Sequence, residues 1–150
     1  MPIDYKPADY HTVTPYLVVD GGAERLIAFI VDVLDGTEMM RMPGPDGRIG
    51  HAEMRIGDSV VMLADSPSPS EVTTSMLHLY VPDTDATYRR ALAAGATSLR
   101  EPTNEFYGDR MSGVRDALGN KWYFATHVED ISEEEMARRA AAEAQTAASA

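Results

Sequence analysis

The stretch from Phe106 to His127, FYGDRMSGVRDALGNKWYFATH, decides how this chain folds. Two segments, Arg110 to Asp116 and Lys121 to His127, flank the sequence Ala117-Leu118-Gly119-Asn120. Glycine and asparagine supply the positive φ angles that a tight hairpin needs. The stretch is therefore predicted to be a β-hairpin that closes a larger unit.

The elements that precede this hairpin occur in the same order earlier in the chain. Val13 to Asp20 is rich in β-branched and aromatic residues, which predicts a strand. Apolar residues at helical spacing over 23–34 predict a helix, with Gly36 as its left-handed stop. Turn signals then separate three further strands, predicted over 37–42, 48–56 and 59–64.

The second half repeats this order. A strand over 75–81 precedes a helix that Thr84 or Asp85 can cap and that Gly95 ends. Three strands follow, over 97–101, 110–116 and 121–127. The sequence thus predicts two copies of a strand-helix-three-strand unit.

The predicted organisation is one domain with five parts. They are an N-terminal arm (1–12), a first module (13–64), a proline- and serine-rich linker (65–74), a second module (75–128) and a C-terminal helix or tail (129–150). The arm contains two prolines and is assigned no chemistry. Ser132 and Glu135 have the spacing of a capping box, which predicts the start of the terminal helix.

Composition limits the classes of partner. The formal net charge of −11 argues against binding to nucleic acid or to an anionic membrane. The chain contains no cysteine, so disulfides, thiolate metal sites and cysteine nucleophiles are excluded. The N-terminus lacks the pattern of a secretory signal, and no apolar run is long enough to span a membrane. We expect a cytoplasmic protein whose partner is a small molecule or a second copy of itself.

Three stretches carry a resemblance to a known family. VTPYLVVDGG at 13–22, GHAEMRIGDSVVMLAD at 50–65 and the hairpin quoted above resemble the vicinal oxygen chelate superfamily, especially its glyoxalase, bleomycin-resistance and PhnB-like branch. The resemblance covers residues 13–130. It implies an α+β fold in which two βαβββ modules form a curved mixed sheet around a cavity, with a C-terminal helical tail. It also implies a homodimer, but it does not choose among the lyases, dioxygenases, isomerases, thiol transferases and drug-sequestering proteins of the superfamily.

The resemblance also implies where a metal would bind. Metal-dependent members carry His or Glu ligands on the first and last strands of each module. In this chain those places fall near Thr14 or Pro15, near Val61 or Met62, near Met76 and near Tyr123. Thioether sulfur and neutral phenol are poor ligands for such cations. We expect no cofactor at the usual positions, and a divalent metal would have to bind elsewhere.

Alternation along the strands separates two faces of each predicted sheet. Helices should cover the apolar face, which contains Ala52, Met54, Ile56, Leu77, Leu79, Val81, Trp122 and Phe124. The opposite face should look into the pocket, and it contains His51, Glu53, Arg55, Met76, His78, Tyr80, Tyr123, Ala125 and His127. This alternation is the main sequence signal for a functional site.

His51 and Glu53 are the candidate catalytic pair, and His78 is a candidate third member. Imidazole and carboxylate can exchange protons, and both can bind divalent cations. The alternative is a solvated or mutually hydrogen-bonded polar strand face. For His78 the alternative is a half-buried histidine that donates to a backbone carbonyl.

Further residues are candidates for contact with a ligand. Arg110 and Arg115 can bind a carboxylate or phosphate, although Asp109 and Asp116 beside them can form local ion pairs instead. The apolar and aromatic candidates can equally pack in the core or in loops, and they are Met62, Met76, Tyr107, Trp122 and Tyr123.

Two functions of different classes remain open, beside a module that only mediates interactions. The first is a metal-independent protein that binds a hydrophobic or aromatic metabolite or antibiotic and could sequester it. The alternative is a lyase or isomerase in which His51, Glu53 and His78 act as acid and base groups or hold a relocated metal.

Overall fold

The computed structural model describes residues 2–149. The elements appear in the predicted order. The first module contains β1 (Tyr16–Val19), α1 (Ala23–Leu34), β2 (Thr37–Pro43), β3 (Ile49–Ile56) and β4 (Ser59–Asp65). The second contains β5 (Met76–Tyr80), α2 (Thr84–Ala93), β6 (Thr97–Asn104), β7 (Asp109–Arg115) and β8 (Lys121–His127), and α3 (Glu133–Ser149) follows it.

Each module forms a four-stranded mixed sheet, and the two sheets have equivalent strand orders. The orders are β1-β4-β3-β2 and β5-β8-β7-β6. The first strand of each module pairs in parallel with the last, and the remaining pairs are antiparallel. The predicted α+β fold with two βαβββ modules and a C-terminal helix is confirmed.

The chain divides into two compact units. The first unit extends to Ser75 and includes Ala117–Asn120, and the second comprises Met76–Asp116 and the chain from Lys121 onward. The turn between β7 and β8 thus packs with the first unit, although both strands belong to the second. Asn120 Oδ1 accepts a hydrogen bond from the Ser75 amide at 3.0 Å, which explains this placement.

In both units the helix covers the apolar face of the sheet, as the alternation predicted. α1 packs on β2, β3 and β4, and α2 packs on β6, β7 and β8. The completely buried side chains include Leu17, Ala52, Met54, Leu63, Trp122 and Phe124. Leu77 and Leu79 of β5 are only half-buried. The face opposite α1 is called the open face of the first sheet below.

The structure corrects two predicted helix ends. α1 is ended by Asp35, which adopts the left-handed conformation at φ 53°, rather than by Gly36. Glycine is still needed at 36, because a Cβ there would lie 2.4 Å from Cγ2 of Ile30. The N-cap of α2 is Asp83, whose Oδ1 accepts from the Ala86 amide at 3.1 Å.

Two other predicted helix signals are confirmed. Gly95 follows α2 with φ +98°. Ser132 Oγ accepts from the Glu135 amide at 3.2 Å, as a capping residue should. α3 then continues to Ser149, and Arg139 forms ion pairs with Glu129 and Glu135 at 2.8 and 2.9 Å. Within residues 2–149, no helix is both long and apolar enough to cross a membrane.

Candidate functional site

The centre of the candidate site lies on the open face of the first sheet. The β3 side chains of His51 and Glu53 are partly buried there, while the intervening Ala52 is buried beneath α1. Strand register places Met40 of β2 and Met62 of β4 on either side of Glu53. The sheet therefore positions one carboxylate between two flexible thioether side chains.

A chain of hydrogen bonds connects this carboxylate with three other side chains. Tyr10 donates its hydroxyl to Oε2 of Glu53. His51 Nε2 lies 3.1 Å from the other carboxylate oxygen, and its Nδ1 lies 2.7 Å from the hydroxyl oxygen of Tyr16. An ionised carboxylate only accepts, so His51 donates from Nε2, and a neutral imidazole accepts from Tyr16 at Nδ1.

These contacts determine the ionisation of Glu53. The hydrogen bond from Tyr10, and then the one from His51, lower the pKa of Glu53 below its ordinary value, against the opposing effect of burial. The same bond raises the pKa of Tyr10, and burial raises the pKa of Tyr16. Glu53 is 9% exposed, so the site holds a largely buried, ionised carboxylate at neutral pH.

Tyr10 reaches Glu53 from the N-terminal arm, to which the sequence analysis assigned no chemistry. The arm turns back on itself because Lys6 Nζ donates to the carbonyl oxygen of Tyr10 and the Tyr10 amide donates to that of Pro7 at 3.4 Å. Asp9 adopts a left-handed conformation within this turn, at φ 67°. No local sequence pattern identifies Tyr10 as a partner of Glu53, because the contact forms only when the arm lies over the sheet.

A cleft of about 430 Å³ opens between the arm and the open face. The arm contributes Tyr5, Lys6, Pro7, Tyr10, His11 and Thr12, Thr14 follows them, and the sheet contributes Glu53 and Met62. This volume falls within the range of roughly 300–1,000 Å³ that small-molecule sites occupy. Of the residues predicted from the sequence, the structure therefore brings Glu53 and Met62 together in the cleft, and His51 bonds to Glu53 beside it.

The other predicted site residues belong to the second unit. His78 is exposed, and its ring lies 5.3 Å from that of Tyr80. Met76 is 65% exposed. The hydroxyl of Tyr107 donates to the sulfur of Met111 at 3.0 Å. Tyr123 is half-buried and lies against Gly113, where a Cβ would come within 2.6 Å of the ring.

Arg110 differs from the local pairing considered in the sequence analysis. Arg110 pairs with Asp85 of α2 at 3.0 Å and donates to Asn104 at 3.1 Å, so the alternative of a local pair with Asp109 is wrong. Arg115 is exposed at the end of β7. Neither position has been tested as a ligand contact, and both remain predictions.

Trp122 requires a correction. The side chain is completely buried, and its indole N–H donates to Oδ2 of Asp116 at 2.9 Å. A ring without exposed surface cannot contact a ligand, so the expected ligand contact is wrong. Its position beneath α2 agrees with the alternation along β8.

A second polar cluster, in the second unit, was missed by the sequence analysis. Asp109 is 4% exposed, and it accepts from Tyr80 at 3.0 Å and lies 2.8 Å from His127 Nδ1. His127 Nε2 lies 2.7 Å from Asp130. Asp109, followed by Asp130, raises the pKa of His127. The alternation placed His127 on the correct face, but no spacing rule connects it with Asp109.

At the positions where the resemblance places a metal, the side chains do not fit a divalent cation. They offer the thioethers of Met62 and Met76, the phenol of Tyr123, and Thr14 or Pro15. Across residues 2–149, no group of three or more His, Asp or Glu side chains is arranged to hold a metal ion. His51 and Glu53 bond to each other and to two tyrosines.

Comparisons with known sequences identify relatives over most of the chain. The uncharacterised proteins Mb0911c of Mycobacterium bovis and Rv0887c of Mycobacterium tuberculosis are each 37% identical over 147 residues. The alignments cover 91% of this chain and 93% and 84%, respectively, of the two relatives.

Solved structures share the fold. TioX from Micromonospora sp. ML1 has a TM-score of 0.62 at 25% identity, covering 77% of this chain and 99% of TioX. A PhnB protein from Bacillus cereus, described as a putative 3-demethylubiquinone-9 3-methyltransferase, has a TM-score of 0.66 at 16% identity, with the same coverages. The fosfomycin resistance protein FosX from Mesorhizobium loti has a TM-score of 0.57 at 17% identity, covering 77% of this chain and 91% of FosX.

The family model described as the Glyoxalase/Bleomycin resistance protein/Dioxygenase superfamily matches residues 11–124, which include β1 to β7 and part of β8. That match, the sequence relatives and the paired βαβββ modules agree. The chain therefore belongs to the Glyoxalase/Bleomycin resistance protein/Dioxygenase superfamily.

Proposed function

We propose that this protein binds a small apolar or aromatic molecule in the cleft of the first unit, without a metal at the usual positions of the superfamily. The observation that carries the proposal is the largely buried carboxylate of Glu53 in the wall of this cleft. A buried charge needs hydrogen-bond partners, and it fixes the orientation of a ligand more strongly than apolar surface does.

The surroundings of Glu53 favour an apolar ligand body. Met62 and the tyrosines of the arm contribute thioether and aromatic surface to the cleft. Methionine adapts its conformation to irregular ligands, and tyrosine combines apolar contact area with a polar end. These side chains suit binding and sequestration of a hydrophobic or aromatic compound.

A panel of aromatic metabolites and antibiotics tests the proposal by thermal shift and calorimetry. Met62→Gln should weaken binding about tenfold, because it places a polar amide against the ligand body. Met40→Gln is the matched control, since Met40 flanks Glu53 but does not line the cleft. A chelator should leave the affinity unchanged. Absence of any ligand across the panel, or equal effects of the two substitutions, would count against the proposal.

The second candidate function is proton transfer by a lyase or isomerase. It is favoured by the contact between His51 Nε2 and Glu53 Oε1, with Tyr16 at the opposite imidazole nitrogen. A general base needs such an orienting partner. His78 belongs to the second unit, and its participation remains a proposal.

Incubation of an identified ligand in D₂O, followed by NMR, tests this candidate. A catalyst would incorporate deuterium or convert the ligand, and Glu53→Gln would abolish that reaction. A ligand that is recovered unchanged after long incubation with the wild-type protein would rule out the proton-transfer function for that ligand.

We also propose that the protein forms a homodimer. Met76 and Tyr80 of β5 are 65% and 68% exposed, which is unusual for large apolar side chains of one strand. Sedimentation velocity on the wild type and on Met76→Lys measures the oligomeric state. A monomeric wild-type protein at high concentration would contradict the proposal.

A further inference from the structure

We infer that the ligand of the cleft is a phenolic compound, whose hydroxyl displaces Tyr10 from Glu53. This inference rests on the proposed binding function and specifies the class of ligand. The observation behind it is the hydrogen bond that the side chain of Tyr10 already forms with the Glu53 carboxylate.

Tyr10 behaves as an internal ligand of the site. It comes from the arm rather than from the sheet, it lines the cleft together with Glu53 and Met62, and it donates its hydroxyl to Oε2. An aromatic ring with a hydroxyl group therefore fits this position in both shape and hydrogen bonding. A free phenol can form the same bond to the same oxygen.

The charges around the cleft favour a neutral donor over an ion. An anionic ligand would meet the ionised Glu53 and a chain with a net charge of −11. A cationic ligand would share the cleft with Lys6 and approach Arg55, whose charge acts on the Tyr10 phenol. His51 already engages Oε1. The phenolic O–H is a neutral donor that satisfies the remaining oxygen.

Displacement of Tyr10 requires little rearrangement of the sheet. Among residues 2–149, the chain before β1 contains no helix or strand, and much of the arm is exposed. The backbone of Tyr10 forms hydrogen bonds with Lys6 and Pro7 within the arm. These bonds can persist when the phenol leaves Glu53. The exchange replaces one phenol–carboxylate bond with another. Tyr10 should therefore act as a competitor that lowers the apparent affinity of the site.

Three probes with the same ring system test the ligand class by calorimetry: 2-naphthol, 2-methylnaphthalene and 2-naphthylmethylamine. We expect 2-naphthol to bind about tenfold more tightly than 2-methylnaphthalene, because only 2-naphthol can donate to the carboxylate. Glu53→Gln should reduce this difference, because an amide oxygen is a weaker acceptor than a carboxylate. The affinity of 2-methylnaphthalene should remain nearly unchanged.

Variants of the arm test the displacement. Tyr10→Phe removes the competing hydroxyl and should strengthen binding of 2-naphthol by about three- to tenfold. Tyr80→Phe is the matched control, because Tyr80 also donates its hydroxyl to a buried carboxylate, Asp109, but does not line the cleft, and it should have no effect. Because Tyr10→Phe leaves Glu53 intact, it keeps the test decisive even if Glu53→Gln does not fold.

Each other outcome has a defined meaning. Equal binding of 2-naphthol and 2-methylnaphthalene overturns the phenolic class but leaves the proposed binding function standing. Preference for 2-naphthylmethylamine overturns it in favour of a cation site. Weaker binding of 2-naphthol to Tyr10→Phe overturns the displacement, because Tyr10 would then position Glu53 rather than compete. Failure of all three probes, together with a negative ligand panel, overturns both proposals.

Discussion

The hydroxyl of Tyr10 donates to Oε2 of Glu53 across a separation of 43 residues. One partner lies in the irregular arm and the other on a central strand, so the bond connects a largely exposed segment of the first unit with its most buried carboxylate. It lowers the pKa of Glu53, and it occupies the oxygen to which the proposed phenolic ligand would bind.

The pKa of Glu53 should rise when Tyr10 is changed to phenylalanine. The hydrogen bond from Tyr10 is the largest cause of its depression, while that from His51 remains in the variant. Carbon-detected NMR titration of the side-chain carboxyl measures this value directly. An unchanged pKa in Tyr10→Phe would show that the bond does not form in solution.

The same bond makes stability depend on pH in the acidic range. The folded-state pKa of Glu53 lies below its unfolded value, so the stabilisation is fully present above the unfolded pKa and is lost as pH falls through the folded pKa. Urea unfolding of the wild type and of Tyr10→Phe should therefore differ at neutral pH and converge in strong acid. Tyr5→Phe provides the control, and a difference that persists in acid would contradict the linkage.

The pKa of His127 should fall in Asp109→Asn and fall less in Asp130→Asn, because Asp109 is the larger cause of its elevation. A raised pKa means that the stabilisation is present below the unfolded value and is lost as pH rises through the folded pKa. Proton NMR of the imidazole across neutral pH measures both variants. A larger fall in Asp130→Asn than in Asp109→Asn would mean that the exposed Asp130 is the main cause of the raised pKa of His127.

Two methionines should respond differently to truncation. Met54 is completely buried beneath α1, and Met54→Ala should lower the free energy of unfolding by about 2–5 kcal/mol through the cavity that it leaves. Met42 is 54% exposed, and Met42→Ala should change the free energy of unfolding by less than about 0.5 kcal/mol. Chemical denaturation measures both variants. Similar effects would mean that Met42 is buried in solution.

Gly113 should tolerate no side chain while Tyr123 is present. A Cβ at 113 would come within 2.6 Å of the Tyr123 ring, and Gly113→Ala should cost about 1–3 kcal/mol of stability. Combination with Tyr123→Leu should recover part of this loss, because the overlapping ring is absent. A double-mutant cycle gives the coupling, and additive effects would place the strain elsewhere.

Local patterns predicted most of the fold. The order of the elements followed from Gly-rich turns and from the spacing of apolar residues, and β8 has the predicted bounds. Alternation identified the faces of β3 and β8 correctly, because successive side chains of a strand point to opposite sides. The errors at Asp35 and Asp83 arose where several neighbouring residues can serve as the cap.

The candidate site could be predicted only in part. His51 and Glu53 were identified because a separation of two residues puts them on one strand face. The ligand contact proposed for Trp122 failed because aromatic character does not distinguish a core ring from a ligand contact. Arg110 pairs with Asp85 of α2 rather than with its neighbour Asp109, because the packing of α2 on the sheet sets the distance between Arg110 and Asp85.

The sequence by itself determined the two βαβββ modules and the polar face of β3, because turns and side-chain alternation act over a few residues. Only the tertiary structure decided that Asn120 packs with the first unit and that Tyr10 and Tyr16 complete the hydrogen-bond chain around Glu53. These contacts join residues that are distant along the chain. Their geometry depends on how the arm and the loops lie over the finished sheets, which no local pattern encodes.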